Sequence, residues 1–286
     1  MKKDKTPLFR RDFTLVVIGQ IISLFGNAVL RFALPLYLLR ETGSPALFGA
    51  VGAAALIPAV LCSPVGGVVA DRVNKGRIMA VLDFATAGLV LVFALLLGRL
   101  PLVPLMAVCL MLLYGIAGAY QPAVQASIPL LAGEDRLTSA NAVINMVSTL
   151  SALLGPVIGG VLFGAFGIRP ILWVSTACFL LSAVMELFLR IPHQPRGTEG
   201  GVLYTVGRDL AGSWRFIRRE RPVFLSVTVV LCLFNLVLSA ALIVGIPVAV
   251  VQVQGLDDLR LGVTQAAMGL GGLLGGGIAA VLGERL

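Results

Sequence analysis

A polar stripe follows one face of the first long apolar segment of the chain. Its members are Gln20, Ser23, Asn27 and Arg31, which are three, four and four residues apart. This spacing places them on one side of an α-helix. A charged group in apolar surroundings is costly unless it faces an interior lined by protein or water. We therefore interpret Arg31 as a residue that attracts an anionic group or pairs with an acid, and Ser23 as an ordinary helix–helix hydrogen-bonding residue.

Two acidic residues also lie inside apolar segments. Asp83 follows Arg77 by six residues, about 9 Å along a helix, and Glu186 lies near the end of another segment. Both positions are shallow, which favours charge pairing. We expect Asp83 to pair with the basic connector, through Arg72 or Arg77. A proton relay through the two acids is the alternative.

The remaining reactive residue types do not form a catalytic pattern. The chain has one histidine, His193, and four cysteines that fall inside apolar segments as small hydrophobic side chains. The sequence contains no nucleophile–base pair, no metal-ligating cluster and no Gly-x-x-x-x-Gly-Lys-Ser/Thr loop for a nucleotide. We predict that the chain is not an enzyme and holds no cofactor.

The segments that carry these residues are long enough to cross a membrane. Hydrophobic residues make up 58% of the 286 residues and charged residues 13%, against about 25% charged in soluble domains. A helix needs about 20 apolar residues to cross the hydrocarbon core of a bilayer. We predict an all-α, polytopic membrane bundle of eight spans. The predicted spans cover residues 13–39, 46–70, 77–98, 102–131, 140–166, 168–190, 222–251 and 260–282.

The basic residues are concentrated in alternate connectors. With spans that alternate in direction, 17 of the 22 lysines and arginines fall on the side of the N-terminus and four on the other side. The positive-inside rule then predicts a cytoplasmic N-terminus in the cell (inner or plasma) membrane. Topology explains the net charge of +8, so nucleic acid is not needed as a partner.

The long connector between the sixth and seventh spans contains a helix of a different kind. Leu203, Val206, Leu210, Trp214 and Ile217 recur at helical spacing, and arginines occupy the other faces. Two placements fit this pattern. The helix lies on the cytoplasmic leaflet, or it packs beneath the bundle.

Prolines and glycines indicate an internal repeat. Pro35 and Gly43, near the end of the first span, recur 212 residues later as Pro247 and Gly255. Parallel six-span repeats build one class of secondary transporter. The resulting division is a six-span half at 1–190, a linker at 191–221 and a partial second half at 222–286. Because the second copy has only two spans, we expect the chain to be C-terminally truncated.

The connector after the second span carries a recognisable pattern. It reads Gly-Val-Val-Ala-Asp-Arg-Val-Asn-Lys-Gly-Arg and resembles the signature loop of the major facilitator superfamily, Gly-x-x-x-Asp-Arg-x-x-Arg/Lys-Gly-Arg/Lys. The matching residues are Gly67, Asp71, Arg72, Lys75, Gly76 and Arg77. The resemblance implies that this loop latches the two halves of the protein on the cytoplasmic side.

A second motif lies in the fifth span. Gly155, Pro156, Gly159 and Gly160 resemble the Gly-Pro-x-x-Gly-Gly motif of exporters in that family. Glycine and proline there provide a kink and close helix contact. Together with the sequence that leads into the fifth span, this motif resembles the exporter branch that includes siderophore and macrolide efflux proteins.

The resemblance also implies that spans one, four and seven line a central substrate cavity. The candidate lining residues are Gln20, Asn27, Arg31, Tyr114, Gln121, Gln125, Asn235 and Ser239. The chain departs from the family where many exporters carry an acid, since it has Asn27 in the middle of span one. Span four also lacks the early arginine that the family often carries. Both departures argue against simple proton coupling.

These patterns predict a secondary transporter, an efflux permease for small amphipathic molecules that works by alternating access. The expected partners are a small-molecule substrate and the lipid bilayer, and the driving force is an ion gradient, with the proton as first candidate. The alternative is a truncated, non-transporting fragment or scaffold. The sequence leaves the substrate, the direction of transport and the oligomeric state open.

Overall fold

The computed structural model describes residues 10–132, 136–191, 202–219 and 222–283. Side chains are described for these residues except 202, 203, 209, 222, 239, 240 and 272–283. Within this part of the chain, every regular element is a helix.

The helices follow one another with short connectors. Their bounds are α1 Arg11–Thr42, α2 Pro45–Arg72, α3 Lys75–Leu96, α4 Leu102–Ala132, α5 Leu137–Phe166, α6 Ile168–Leu187, α7 Val202–Arg219, α8 Pro222–Ser239 and α9 Asp258–Gly283. Two π-helical segments, Ala240–Gly245 and Val248–Val253, continue the course of α8.

Seven helical segments of the described chain are long and apolar enough to cross a membrane. They are α1 to α6 and the segment Val223–Val253. The prediction of an all-α polytopic bundle is therefore confirmed. The eighth predicted span, 260–282, coincides with α9, whose side chains are described only as far as residue 271.

Local chemistry sets the turn between α1 and α2. Gly43 ends α1 with a φ of 61°, in the left-handed region, which glycine adopts without strain. The Ser44 hydroxyl accepts a hydrogen bond from the Leu47 amide at 3.3 Å, and Pro45 occupies the first position of α2. Gly255, the predicted repeat partner of Gly43, has a φ of 63°. The two glycines therefore share a left-handed backbone conformation, and the repeat itself remains a prediction.

The interior of the bundle forms around α1, which packs against α5 and α6, while α3 packs against α4 and α6. Helices α2 and α4 approach closely because glycines lie at their crossing. A side chain on Gly66 would collide with the backbone of Ala119, and one on Gly118 with the backbone of Ala59. Small residues allow this approach, as is typical of helix pairs in membranes.

The outer surface is apolar. Ile57, Val60 and Leu61 of α2 are each more than half exposed, and similar side chains cover the outer faces of α3, α5 and α6. A contiguous exposed apolar surface marks contact with a membrane or a partner. Together with the seven apolar helices, it identifies a multi-pass membrane protein.

Helix α7 lies in the connector after α6 and contacts both α2 and α8. The Arg72 guanidinium donates a hydrogen bond to the Thr205 hydroxyl at 2.9 Å, which ties the start of α7 to the end of α2. Leu210 and Trp214 of its apolar stripe are exposed. Val206 and Ile217 of the same stripe are partly buried, so the contacts of α7 cover only part of its apolar face.

Candidate substrate cavity

A cavity of about 530 Å³ lies inside the bundle, between α1 to α5 and the middle of α9. Its volume falls in the range of sites for small molecules, which are mostly apolar with a few polar groups. The apolar lining includes Leu24, Phe32, Leu56, Ile116 and Pro156. The polar lining comprises Ser23, Asn27, Arg31, Asp83, Thr86, Tyr114, Tyr120, Gln121, Ser148, Ser151 and Gln265.

Arg31 is positioned by an aromatic ring. Its guanidinium carbon lies 4.1 Å from the centre of the Tyr114 ring, a distance at which a cation and a π face attract each other. The Nε atom of Arg31 is buried and has no hydrogen-bond partner. Among the described residues no acid pairs with Arg31, so of the two expectations for this residue the attraction of an anionic group remains a prediction.

Asp83 lies in the wall of the cavity, where it contacts α1. The Ser23 hydroxyl donates a hydrogen bond to Asp83 Oδ1 at 3.0 Å, and Oδ2 is buried without a partner. The expectation that Asp83 pairs with Arg72 or Arg77 is wrong. Its side chain turns toward α1, while Arg72 bonds to Thr205 and Arg77 is exposed.

Glu186 belongs to a buried hydrogen-bond chain beside the cavity. The Gln20 amide donates to the Tyr120 hydroxyl at 2.5 Å, and this hydroxyl donates to Glu186 Oε1 at 2.6 Å. All three residues are buried. Of the three, only Tyr120 also lines the cavity, so Gln20 supports the wall from behind.

Sequence reasoning did not identify Tyr120 or the cavity-facing position of Asp83. Tyr120 meets Glu186 from 66 residues away and Gln20 from 100 residues away, so no local spacing reveals the contact. The signal available in the sequence is the position of Tyr120 itself, a hydroxyl-bearing residue next to Gln121 in an otherwise apolar helix. Gln265 of α9 was likewise missed, although it lines the cavity.

The structure brings together four of the predicted lining residues, namely Asn27, Arg31, Tyr114 and Gln121. Gln125 lies outside the cavity lining on an exposed part of α4. Asn235 is exposed on α8, and its amide donates to the Leu231 carbonyl of the same helix at 3.0 Å. The side chain of Ser239 is outside the described residues.

The glycine motif of α5 lies where three helices meet. Side chains added to Gly155 and Gly159 would meet Ala28 and Phe32 of α1. A side chain added to Gly160 would meet the backbone of Asp258 in α9. The Pro156 carbonyl lies against Gly262 of α9. Helix α5 thus contacts both α1 and α9 at glycine positions.

An ion pair lies beyond the Arg31 end of the cavity, toward the C-terminus of α1, and joins α1 to α9. Arg40 of α1 contacts Asp258 Oδ1 of α9 at 2.6 Å, and Asp258 is only 2% exposed. The Arg40 guanidinium also lies 5.8 Å from the centre of the Phe163 ring of α5. The Gln252 amide adds a hydrogen bond to the Gly43 carbonyl at 3.2 Å.

The signature-loop residues occupy two environments. Asp71 and Arg77 are exposed, whereas Lys75 and Gly76 are buried. Gly76 lies against Leu189 and the Glu186 carbonyl, so the start of α3 packs on the end of α6. Gly67 of α2 faces Pro122 of α4 at ordinary contact distance. The latch role of the loop remains a prediction.

These features define a class of protein: a multi-pass helical bundle whose spans surround a cavity with charged and polar side chains in a largely apolar wall. The sequence matches the Major Facilitator Superfamily over residues 16–286. The chain therefore belongs to this family, which confirms the resemblance based on the signature loop.

Named relatives add detail. Macrolide efflux protein A of Streptococcus pyogenes is 27% identical over 191 residues, which cover 66% of this chain and 47% of that protein. The multidrug resistance protein MdtG of Enterobacter lignolyticus is 31% identical, with 65% of this chain and 45% of that protein covered. The uncharacterized MFS-type transporter YfiS of Bacillus subtilis is 28% identical over 188 residues, which cover 64% of this chain and 44% of that protein. The matched region therefore spans slightly less than half the length of each of these relatives.

Proposed function

We propose that the chain acts as a secondary transporter that exports small amphipathic molecules by alternating access. The observation that carries the proposal is the cavity of about 530 Å³, whose apolar wall is interrupted by Arg31, Asn27 and Asp83. Charged groups at such depth are costly and mark transport pathways. Membership of the family supports the proposal, as do the efflux and multidrug-resistance names of two relatives.

The closing contacts support alternating access. The Arg40–Asp258 ion pair and the glycine contacts between α5 and α9 hold α9 against α1 and α5. We propose that these contacts seal the end of the cavity that lies toward the C-terminus of α1. A rocking motion that separates α9 from α1 and α5 would break this seal and open that end, as expected when two halves move around a fixed site.

We propose the proton as the coupling ion, with Asp83 and Glu186 as its carriers. Both carboxyl groups are buried, and each has one oxygen without a hydrogen-bond partner. Each also reaches a hydroxyl group that connects it to α1 or α4. This arrangement supports a role for Asp83 and Glu186 in proton binding. The two residues would replace the acid that many exporters of the family carry in the middle of span one.

We place the protein in the cell membrane with a cytoplasmic N-terminus. The placement is supported by the 17 basic residues on the side of the N-terminus against four on the other side. The proposed partners are the substrate and the lipid bilayer, and no catalytic activity or nucleic-acid binding is proposed. No specific observation favours the alternative of a non-transporting scaffold.

The transport proposal is tested in everted membrane vesicles from cells that express the chain. We expect energised vesicles to accumulate a fluorescent amphipathic dye. Arg31→Ala should abolish this accumulation because it removes the positive charge from the cavity wall. Arg99→Ala is the matched control, because Arg99 is an exposed residue in the connector before α4. The proposal is contradicted if vesicles that contain the inserted wild-type chain accumulate no dye, or if Arg31→Ala matches Arg99→Ala.

A further inference from the structure

Three buried polar atoms without a hydrogen-bond partner belong to residues of the cavity lining. They are Asn27 Oδ1, Arg31 Nε and Asp83 Oδ2. Buried polar atoms are nearly always paired in native proteins. All three residues line one cavity, so its wall offers a ligand hydrogen-bond acceptors at Asn27 and Asp83 and a donor at Arg31.

The two charged groups lie at two levels along α1: Arg31 belongs to α1 itself, and Asp83 of α3 meets α1 at Ser23. Asp83 is fixed beside Ser23 by a hydrogen bond of 3.0 Å, and Arg31 is eight residues further along the helix. At 1.5 Å per residue, the two poles are separated by about 12 Å along the helix axis. Asn27 lies halfway between them along α1. Leu24 and Phe32 form part of the apolar wall of the cavity.

Both poles are fixed before a ligand arrives. Stacking on Tyr114 restrains the guanidinium of Arg31 at 4.1 Å, and the Ser23 hydroxyl restrains the carboxyl group of Asp83. A ligand that meets fixed groups loses less free energy to their ordering. A ligand with one charge satisfies one pole and leaves the other without a partner.

We infer that the cavity binds elongated amphipathic zwitterions. In this arrangement a protonated amine donates to Asp83 and Asn27, and an anionic group about 12 Å away accepts from Arg31, with an apolar chain between them. The inference deepens the proposed function, because it names the substrate class of the same cavity. Only the claim that the bound molecule is then carried across the membrane rests on that function.

The test measures binding of matched probes to the purified full chain in detergent by isothermal titration calorimetry. The probes are 11-aminoundecanoic acid, undecylamine, undecanoic acid and 1-undecanol, which share one chain length and differ in end groups. The Arg31→Gln, Asp83→Asn double variant gives the background from partition into detergent. We expect the zwitterion to bind at least about tenfold more tightly than either singly charged probe, since hydrogen bonds to charged groups contribute this much.

Single variants separate the two poles. Arg31→Gln should make the zwitterion and the amine bind equally, and Asp83→Asn should make the zwitterion and the acid bind equally. Arg31→Lys retains the charge and should keep a preference for the zwitterion, which excludes a loss caused by misfolding. A short zwitterion, 6-aminohexanoic acid, cannot reach both Arg31 and Asp83. It should therefore bind the wild-type chain no more tightly than the singly charged probes do.

Other results overturn the inference. If undecylamine binds as tightly as the zwitterion, the cavity is a cation site. If each variant weakens all four probes equally, the two charges have a structural role. Binding and transport are measured separately, so a chain that prefers the zwitterion but transports nothing would retain this inference and contradict the proposed function.

Discussion

Tyr120 joins three helices through one hydroxyl group. It accepts from Gln20 of α1 and donates to Glu186 of α6, while its own backbone belongs to α4. A hydroxyl that serves as both donor and acceptor in a buried site leaves two unsatisfied groups when it is removed. This hydroxyl therefore contributes to the packing of all three helices α1, α4 and α6.

Tyr120→Phe should lower the free energy of unfolding by about 1–3 kcal/mol, because the buried side chains of Gln20 and Glu186 each lose a hydrogen-bond partner. The measurement is thermal unfolding of the purified protein in detergent. Tyr204→Phe is the matched control, since Tyr204 is 64% exposed on α7 and should change stability by less than about 0.5 kcal/mol. Equal effects of the two substitutions would contradict the assignment.

At the residue scale, the sequence predicted the types of polar group in the cavity better than their partners. The spacing of the α1 stripe placed Asn27 and Arg31 correctly on one face, because helical periodicity is local. Its end at Gln20 turns to Tyr120 and not to the cavity. The predicted partner of Asp83 was wrong. Whether Asp83 contacts Ser23 or the basic connector depends on the rotation of α3 about its axis relative to α1, and local sequence patterns do not determine this rotation.

At the element scale, the helices pack through backbone contacts at glycines. The α5 motif brings α1 and α9 together, and Gly66 and Gly118 do the same for α2 and α4. In a membrane the hydrophobic effect does not drive helix association, so close packing and interhelical hydrogen bonds must do so. The ends of these helices were predictable from hydropathy and turn residues, since a bilayer fixes the length of a span.

The Arg40–Asp258 ion pair is the charged contact that joins α1 to α9 in the described structure. Removal of one partner from a buried pair leaves the other charge uncompensated, which costs about 3–5 kcal/mol when both are buried. Arg40 is 43% exposed, so we expect a smaller cost here. Removal of the Arg40 side chain should therefore weaken the proposed seal at the end of the cavity near the C-terminus of α1.

Arg40→Ala should therefore raise the reactivity of a cysteine at position 265 toward a membrane-impermeant thiol reagent added from the side of the Arg40–Asp258 pair. The background lacks the native cysteines Cys62, Cys109, Cys178 and Cys232. Arg260→Ala is the control, because Arg260 contacts Asp257 at 3.9 Å with both side chains 65% exposed, and exposed pairs contribute little. An unchanged rate for Gln265→Cys in the Arg40→Ala protein would contradict the sealing role.

At the scale of the whole molecule, charge and hydropathy predict the spans and an orientation, whereas tertiary packing forms the cavity. The count of basic residues and the span lengths predicted a multi-pass bundle before any contact was known. The volume, the contribution of Gln265 from α9 and the two fixed poles follow from how the helices pack, and these were not predictable. Span seven illustrates the difference, since α8 has the predicted hydropathy but exposes nearly all of its described side chains.

The central claim is that substrate crosses the membrane through the cavity beside Arg31. The direct test is labelling of Asn27→Cys, in the background without native cysteines, by an impermeant thiol reagent in vesicles of both orientations. Val92→Cys is the comparison, since Val92 is 52% exposed on the outer face of α3 and should face lipid. We predict that Asn27→Cys reacts and that the transported dye slows the reaction, while Val92→Cys stays unlabelled. An Asn27→Cys protein that is as unreactive as Val92→Cys, or one that the dye does not protect, would contradict the claim.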